Sequence, residues 1–98
     1  MKVTKVEYTV REDFVDTNKA NIGAVMQELS SLDNKDVKYM AFLKDDGKSF
    51  MHLVFSENDE AGKIISSLSA FQHFREALNS GVEVKPMAEN FSLVGSSE

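Results

Sequence analysis

No cysteine occurs in the 98 residues, which excludes disulfides, thiolate nucleophiles and cysteine-ligated metals and leaves packing alone to hold the fold. Positive charge is also scarce. Eleven Lys and Arg stand against sixteen Asp and Glu, a net charge of -5 without a basic cluster, so no nucleic-acid binding is expected. Long apolar runs are missing too, since nothing approaches the ~20 residues that span a bilayer. The opening Met1-Lys2-Val3-Thr4-Lys5-Val6-Glu7 alternates instead of forming the apolar block of a secretory signal, so a cytoplasmic location and no membrane partner are expected. The two histidines, His52 and His73, have no carboxylates near them at ligand spacing, and no metal site is expected.

What is present is 42% hydrophobic residues and seven Phe, enough for one core, so residues 1-98 are expected to form a single domain. Lys2 to Val10 alternates, with Val6, Tyr8 and Val10 on one face and Lys5, Glu7 and Thr9 on the other, the period of a half-buried strand. Asp13 or Asp16 can cap the helix that follows. Ile22, Val25, Met26, Leu29 and Leu32 give that helix its apolar stripe. Gly23 inside it costs about 1 kcal/mol relative to Ala, which predicts close approach to the sheet.

The runs 37–43 and 49–55 around Asp45-Asp46-Gly47 read as a β-hairpin with large apolar side chains on both faces, so each face needs a cover. A two-residue turn at Asp46-Gly47 would set His52 opposite Ala41. A three-residue turn with Gly47 left-handed would set His52 opposite Met40 and Phe42 opposite Phe50, and this aromatic pairing favours the three-residue form. Ser56-Glu57-Asn58-Asp59 is a helix start whose carboxylates face water, followed by the stripe Ala61, Ile64, Ile65 and Leu68. Ser69 and Gln72 fit a capping box for a fresh helix with Phe71, Phe74 and Leu78 inward and Gly81 as its stop. Val82 to Val94 is extended, with Val82 and Val84 on one face and, after Pro86, Phe91 and Leu93 on the other, and Pro86 means that the strand lies at an edge, bends there or crosses to another subunit. Gly95 to Glu98 is a frayed tail.

The order β-α-β-β-α-β, with the second helix in two pieces, is the α+β ferredoxin-like arrangement with an antiparallel four-stranded sheet. Its helices cover one sheet face. A second copy of the chain is the economical cover for the other, which predicts a homodimer through the open face.

Several segments carry a resemblance: Val6-Glu7-Tyr8-Thr9-Val10, Tyr39-Met40-Ala41-Phe42 leading through Asp46-Gly47 to Phe50-Met51-His52-Leu53-Val54-Phe55, Ser67 to Phe74, and the late Pro86. Together they resemble the dimeric α+β barrel superfamily, most of all the antibiotic-biosynthesis monooxygenase-like domains. The resemblance implies a pocket between helices and sheet and, in members that are enzymes, oxygenation or isomerisation of small aromatic or quinone-like compounds, often with neither metal nor flavin. No cofactor is therefore expected. Haem-degrading members use a strand-one Asn, a Trp and a His on the last helix. This sequence has no Trp, places Glu7 and Tyr8 on strand one, and has Arg75 at the position of that His, so haem chemistry is not expected.

His52, between Met51 and Leu53, could titrate near neutral pH and act as a proton acceptor, or be a satisfied interface histidine. Tyr8 and Tyr39 could orient a phenol or quinone oxygen, or be core aromatics. Phe42 and Phe50, with Met40 and Met51, could line a ligand cavity or be ordinary core. Arg75, at the border of its helix stripe, could reach an anionic ligand or pair with a neighbouring Glu; His73 points away from that stripe toward water. Two functions follow: a cofactor-independent monooxygenase-like enzyme using His52 with Tyr8 or Tyr39, or a non-catalytic dimeric ligand-binding or interaction module. The first requires at least two of those three side chains to share one cavity.

Overall fold

Alternation over Lys2–Val10 produces strand β1, and a 3₁₀ turn at Glu12–Phe14 leads into helix α1, Val15–Ser31, in a computed structural model that describes residues 1–98. The hairpin follows as β2 (Val37–Leu43) and β3 (Ser49–Ser56). Two helices, α2 (Asp59–Ser67) and α3 (Ser69–Gly81), and the last strand β4 (Val82–Ser92) complete the chain. The strands form one antiparallel sheet in the order β2-β3-β1-β4, the ferredoxin-like topology. Pro86 accordingly lies on an edge strand, where a missing donor costs little. No helix is long and apolar enough to cross a membrane.

The hairpin takes the strand pairing of the two-residue alternative, His52 opposite Ala41, and not that of the favoured three-residue form. Ala41 lies opposite His52, Phe42 opposite Met51 and Leu43 opposite Phe50, so Phe42 and Phe50 point to opposite faces. The physical reason is the turn. Lys44 N–H donates to Ser49 C=O, and Asp46 closes the loop by accepting from the backbone N–H of Lys48 and Ser49 at 3.0 and 2.8 Å and from Ser49 Oγ. These three bonds hold the Asp46 carboxyl down at about 2, the Ser49 hydroxyl contributing most. Gly47 takes φ +79°, the left-handed conformation expected of it, within this longer loop. Local acceptor chemistry at Asp46 outweighs the aromatic cross-strand pair.

Helix ends also differ from expectation. Neither Asp13 nor Asp16 caps α1, whose N-cap position is Phe14 after the 3₁₀ turn. Asn58, inside the Ser56-to-Asp59 start, caps α2 by accepting from Ala61 N–H at 2.8 Å. The chain is extended at Leu68, which splits the second helix as expected. Ser69 does not form a capping box; Glu28 of α1 reaches across, accepting from Ala70 N–H at 2.8 Å and from Ser69 Oγ at 3.2 Å. A carboxylate from another helix thus stands in for a local cap, and ties α1 to α3.

Gly23 meets nothing within 4 Å where a side chain would stand, so it does not mark the approach to the sheet. Gly81 does mark a close approach: a Cβ there would lie 2.2 Å from the Phe14 ring, while its C=O accepts from Arg11 N–H at 2.8 Å. In β4, register shifts around Thr9 put Val82 opposite Val10 and Val84 opposite Thr9, so the two valines face opposite ways. Val84 is 55% exposed in consequence.

The core lies between the helices and one sheet face. Tyr8, Val10, Phe50, Phe74 and Leu78 are its centre, with Val15 and Val25 from α1 and Leu68 from the bend. Tyr8 stacks on Phe50 at 5.6 Å between ring centroids and tilts against Phe74 at 6.3 Å, arrangements worth about 0.5–1.5 kcal/mol each beyond the area they bury. Leu32, expected on the α1 stripe, is instead the C-cap residue just past the helix end and is 52% exposed.

Candidate functional site

Three polar side chains meet under the helices. Strand period fixes Tyr8 on β1, Tyr39 on β2 and His52 on β3 to the covered face, and the hairpin register sets Tyr39 on the same side as His52. Tyr8 Oη lies 2.8 Å from His52 Nε2 and Tyr39 Oη lies 2.5 Å from His52 Nδ1. The imidazole is thus held at both nitrogens by phenols from the strands on either side. Helix α1 adds a fourth member, Asn18, whose Nδ2 donates to Tyr8 Oη at 2.8 Å. The chain of hydrogen bonds runs Asn18, Tyr8, His52, Tyr39, and its first three members are nearly inaccessible to solvent, at 0%, 3% and 3%.

Burial sets the electrostatics. With no carboxylate beside it, His52 is pushed down to about 4 by desolvation of its charged form, so the ring is neutral at pH 7. Desolvation likewise raises Tyr8 to about 12, against a smaller opposing effect of the Asn18 hydrogen bond, and raises Tyr39 further. At neutral pH every member of the chain is uncharged, and protons in it move only by rearrangement of hydrogen bonds.

Two cavities flank this group. The first, of about 570 Å³, lies between α3 and the sheet toward β4; Val6, Phe71, Phe74, Leu78 and Val82 are its apolar lining, and Tyr8, Tyr39, His52, Arg75 and Lys85 are among its polar groups. The second, of about 530 Å³, opens on the α2 side and is bordered by Lys2, Asp59 and Lys63. Val6, Tyr39, His52 and Phe71 line both, so the Tyr39–His52 pair stands where the two meet. No cluster of His, Cys, Asp or Glu is arranged to hold a metal ion.

All of His52, Tyr8 and Tyr39 therefore share one cavity. Arg75 stands at its edge with the guanidinium 6.0 Å from the centre of the Phe71 ring and makes no ion pair, so the alternative of a surface pair with a neighbouring Glu is not realised. Phe42 does not line the cavity; it is 44% exposed on the opposite sheet face. Phe50 is on the covered face but lies beneath Tyr8 as core, outside the cavity lining. His73 is exposed, as its place off the stripe predicts.

Asn18 is the residue that sequence reasoning missed. The α1 stripe of Ile22, Val25 and Leu29 runs back four positions to 18, so a polar amide stands in line with an apolar stripe, which is the signal that could have found it. Lys85 and Pro86 were reachable only through the β4 irregularity that turns them toward the cavity.

No family model matches the sequence, and no curated protein matches it. Solved structures do resemble it in fold. One, described as an antibiotic biosynthesis monooxygenase, superimposes with a TM-score of 0.81 at 10% identity, covering 97% of this chain and 100% of that one. A Nitrosomonas europaea protein given that same name provisionally scores 0.82 at 13% identity, with 97% and 100% covered. SnoaB, a cofactor-independent oxygenase from Streptomyces nogalater, scores 0.66 at 14% identity, with 98% and 96% covered. At these identities the likeness is one of fold: this chain has the fold of antibiotic biosynthesis monooxygenase-like structures over nearly its whole length.

Proposed function

We propose that this chain is a cofactor-independent oxygenase of small aromatic ketones or quinone-like compounds, bound in the cavity under α3 and working as a homodimer. The observation that carries the reading is the convergence of Tyr8, His52 and Tyr39 on one largely apolar cavity large enough for a bicyclic or tricyclic ring system. The fold shared with a cofactor-independent oxygenase supports it.

The geometry divides the roles. Both nitrogens of His52 are already engaged and its basicity is low, so the ring is a poor acceptor for a substrate proton and instead holds Tyr39 in place. Tyr39, half-buried and at the junction of the two cavities, is the hydroxyl that touches the substrate oxygen. An aromatic ketone with an acidic CH₂ is activated by stabilising its enolate oxygen at Tyr39; the carbon proton passes to water. The enolate then supplies electrons to dioxygen, and the net change is CH₂ plus O₂ to C=O plus H₂O, with oxygen as the only oxidant. Arg75 and Lys85 at the cavity edge favour substrates with an anionic substituent.

The dimer belongs to the same reading. Val3, Met40, Phe42, Met51, Leu53, Phe55, Met87 and Phe91 lie on the uncovered sheet face, where Met87 is 74% and Phe91 42% exposed. An apolar surface of that extent calls for a partner, and a second copy of the same face satisfies it by twofold pairing.

Oxygen uptake with anthrone, set against Tyr39→Phe and a heat-inactivated control, is the direct test. At least a tenfold loss in Tyr39→Phe is expected; equal uptake by all three samples overturns the enzyme. A second reading, ligand binding without turnover, is favoured by the lack of any unengaged base in the network, and predicts saturable anthrone binding with no uptake above the control.

A further inference from the structure

The hydrogen-bond chain has a direction, and the direction decides what the cavity recognises. A neutral imidazole carries one N–H and one acceptor nitrogen, and His52 meets a phenol at each. Tyr8 has one proton to give. Its oxygen already accepts from Asn18 Nδ2, and its only other hydrogen-bond partner is His52 Nε2. If Nε2 carried the proton, Tyr8 Oη would accept twice and its own O–H would be left buried without an acceptor. Satisfying Tyr8 and both ring nitrogens requires the opposite arrangement: Tyr8 donates to Nε2, Nδ1–H donates to Tyr39 Oη, and the Tyr39 proton, which has no acceptor within the chain, is free for the cavity.

We infer that Asn18 is a positioning residue: acting through Tyr8, it fixes His52 as the Nδ1–H tautomer, makes Tyr39 a hydrogen-bond donor to the cavity, and so selects ligands that present a carbonyl oxygen over those that present a hydroxyl. The selectivity rests on the ligand site proposed above; the tautomer does not. Asn18 is fully buried, and its Oδ1 has no partner, nor has Asn21 Nδ2 about one helical turn further along α1. An amide turned over would offer Oδ1 to Tyr8 and reverse every bond as far as Tyr39, converting the cavity hydroxyl from donor to acceptor.

The tautomer is read directly from long-range ¹H–¹⁵N correlations of the His52 ring in uniformly labelled protein at pH 7, with His73→Gln to assign the two rings. The expected wild-type pattern has Nδ1 protonated and Nε2 unprotonated; the reverse pattern overturns the proposal. Asn18→Asp, whose carboxylate can only accept, is expected to flip the ring to Nε2–H, and a folded Asn18→Asp that keeps Nδ1–H overturns it as well. A merely structural asparagine would not move the tautomer. If that variant does not fold, the wild-type spectrum and Asn18→Ala decide: Asn18→Ala is expected to give a mixture of tautomers, and an unchanged single tautomer counts against Asn18. For selectivity, 1,4-naphthoquinone is expected to bind wild type roughly tenfold tighter than 1-naphthol. Tighter binding of the naphthol overturns the selectivity; binding of neither sinks the ligand site and leaves the tautomer to be judged by the spectrum.

Discussion

The two faces of this sheet invert the usual order. Under the helices, where apolar side chains are expected, lies a run of polar groups: Tyr8, His52, Tyr39 and the Asn18 amide. On the uncovered face, where polar groups are expected, stand Met40, Phe42, Met51, Leu53 and Phe55, with ion pairs of Lys5 and Lys44 to Glu7 and of Lys5 to Glu89 toward β1 and β4. A buried polar group is tolerable only when satisfied, and an exposed apolar face only when covered. The covered face meets its requirement within the chain at Tyr8 and His52, leaving Asn18 Oδ1 without a partner; the other meets it through the proposed second copy.

The same substitution on adjacent strands separates the two faces most sharply. Phe50→Asp places a carboxylate beneath Tyr8, in a site 2% exposed, and removes the aromatic stack. A loss of about 4 kcal/mol or more is expected, enough to unfold a domain of this size. Circular dichroism should show no cooperative melt. A folded Phe50→Asp protein would mean that the core is not where the register puts it.

Titration of His52 gives the next effect. Its folded value of about 4 lies below the ordinary 6.5, so between pH 6.5 and 4 the unfolded chain binds the extra proton and stability falls as pH falls. The full loss is about 3 kcal/mol, at 1.36 kcal/mol per unit. Denaturant melts across this range should show the loss in wild type and a much flatter profile in His52→Gln, whose amide is uncharged throughout. Equal slopes in the two proteins would place the acid sensitivity elsewhere.

Phe42→Asp tests the other face. At 44% exposure its cost to the monomer is expected to stay within about 1 kcal/mol, while light scattering at micromolar concentration should fall from the mass of two chains to that of one. A wild-type mass of one chain would remove the dimer altogether. A Phe42→Asp protein that keeps the mass of two would move the interface off this face.

Much of this contrast was legible in the alternation of the strands. The pattern of β1 assigns Tyr8 and Val10 to the core directly, and the hairpin runs read as apolar on both sides. What alternation leaves open is phase between strands. That phase rests on Asp46, which gathers two backbone N–H groups and the Ser49 hydroxyl into a loop longer than either turn the Asp45-Asp46-Gly47 sequence suggests. One residue of slip would put His52 across from Met40 and separate it from Tyr39, so the site depends on a turn whose chemistry lies in a single side chain. Asn18 was hidden for another reason: its partner Tyr8 is on a different element, and only tertiary packing brings helix position 18 over strand position 8.

The smallest effect concerns how the helical cover is fastened. Glu28 accepts from Ala70 N–H and Ser69 Oγ, satisfying the start of α3 from α1 in place of a local cap. Glu28→Ala removes that acceptor and is expected to cost about 1 kcal/mol, the usual magnitude for a lost N-cap. Its effect should be confined to the covered face: a lower melting temperature and faster amide exchange at Ser69 and Ala70, with the oligomeric mass unchanged. Glu28→Gln keeps an acceptor oxygen and should recover most of the loss, which separates the hydrogen bond from the charge. If both variants melt like wild type, α3 is held by the packing of Phe74 and Leu78 alone, and the seam between α1 and α3 contributes geometry to the cavity without contributing stability.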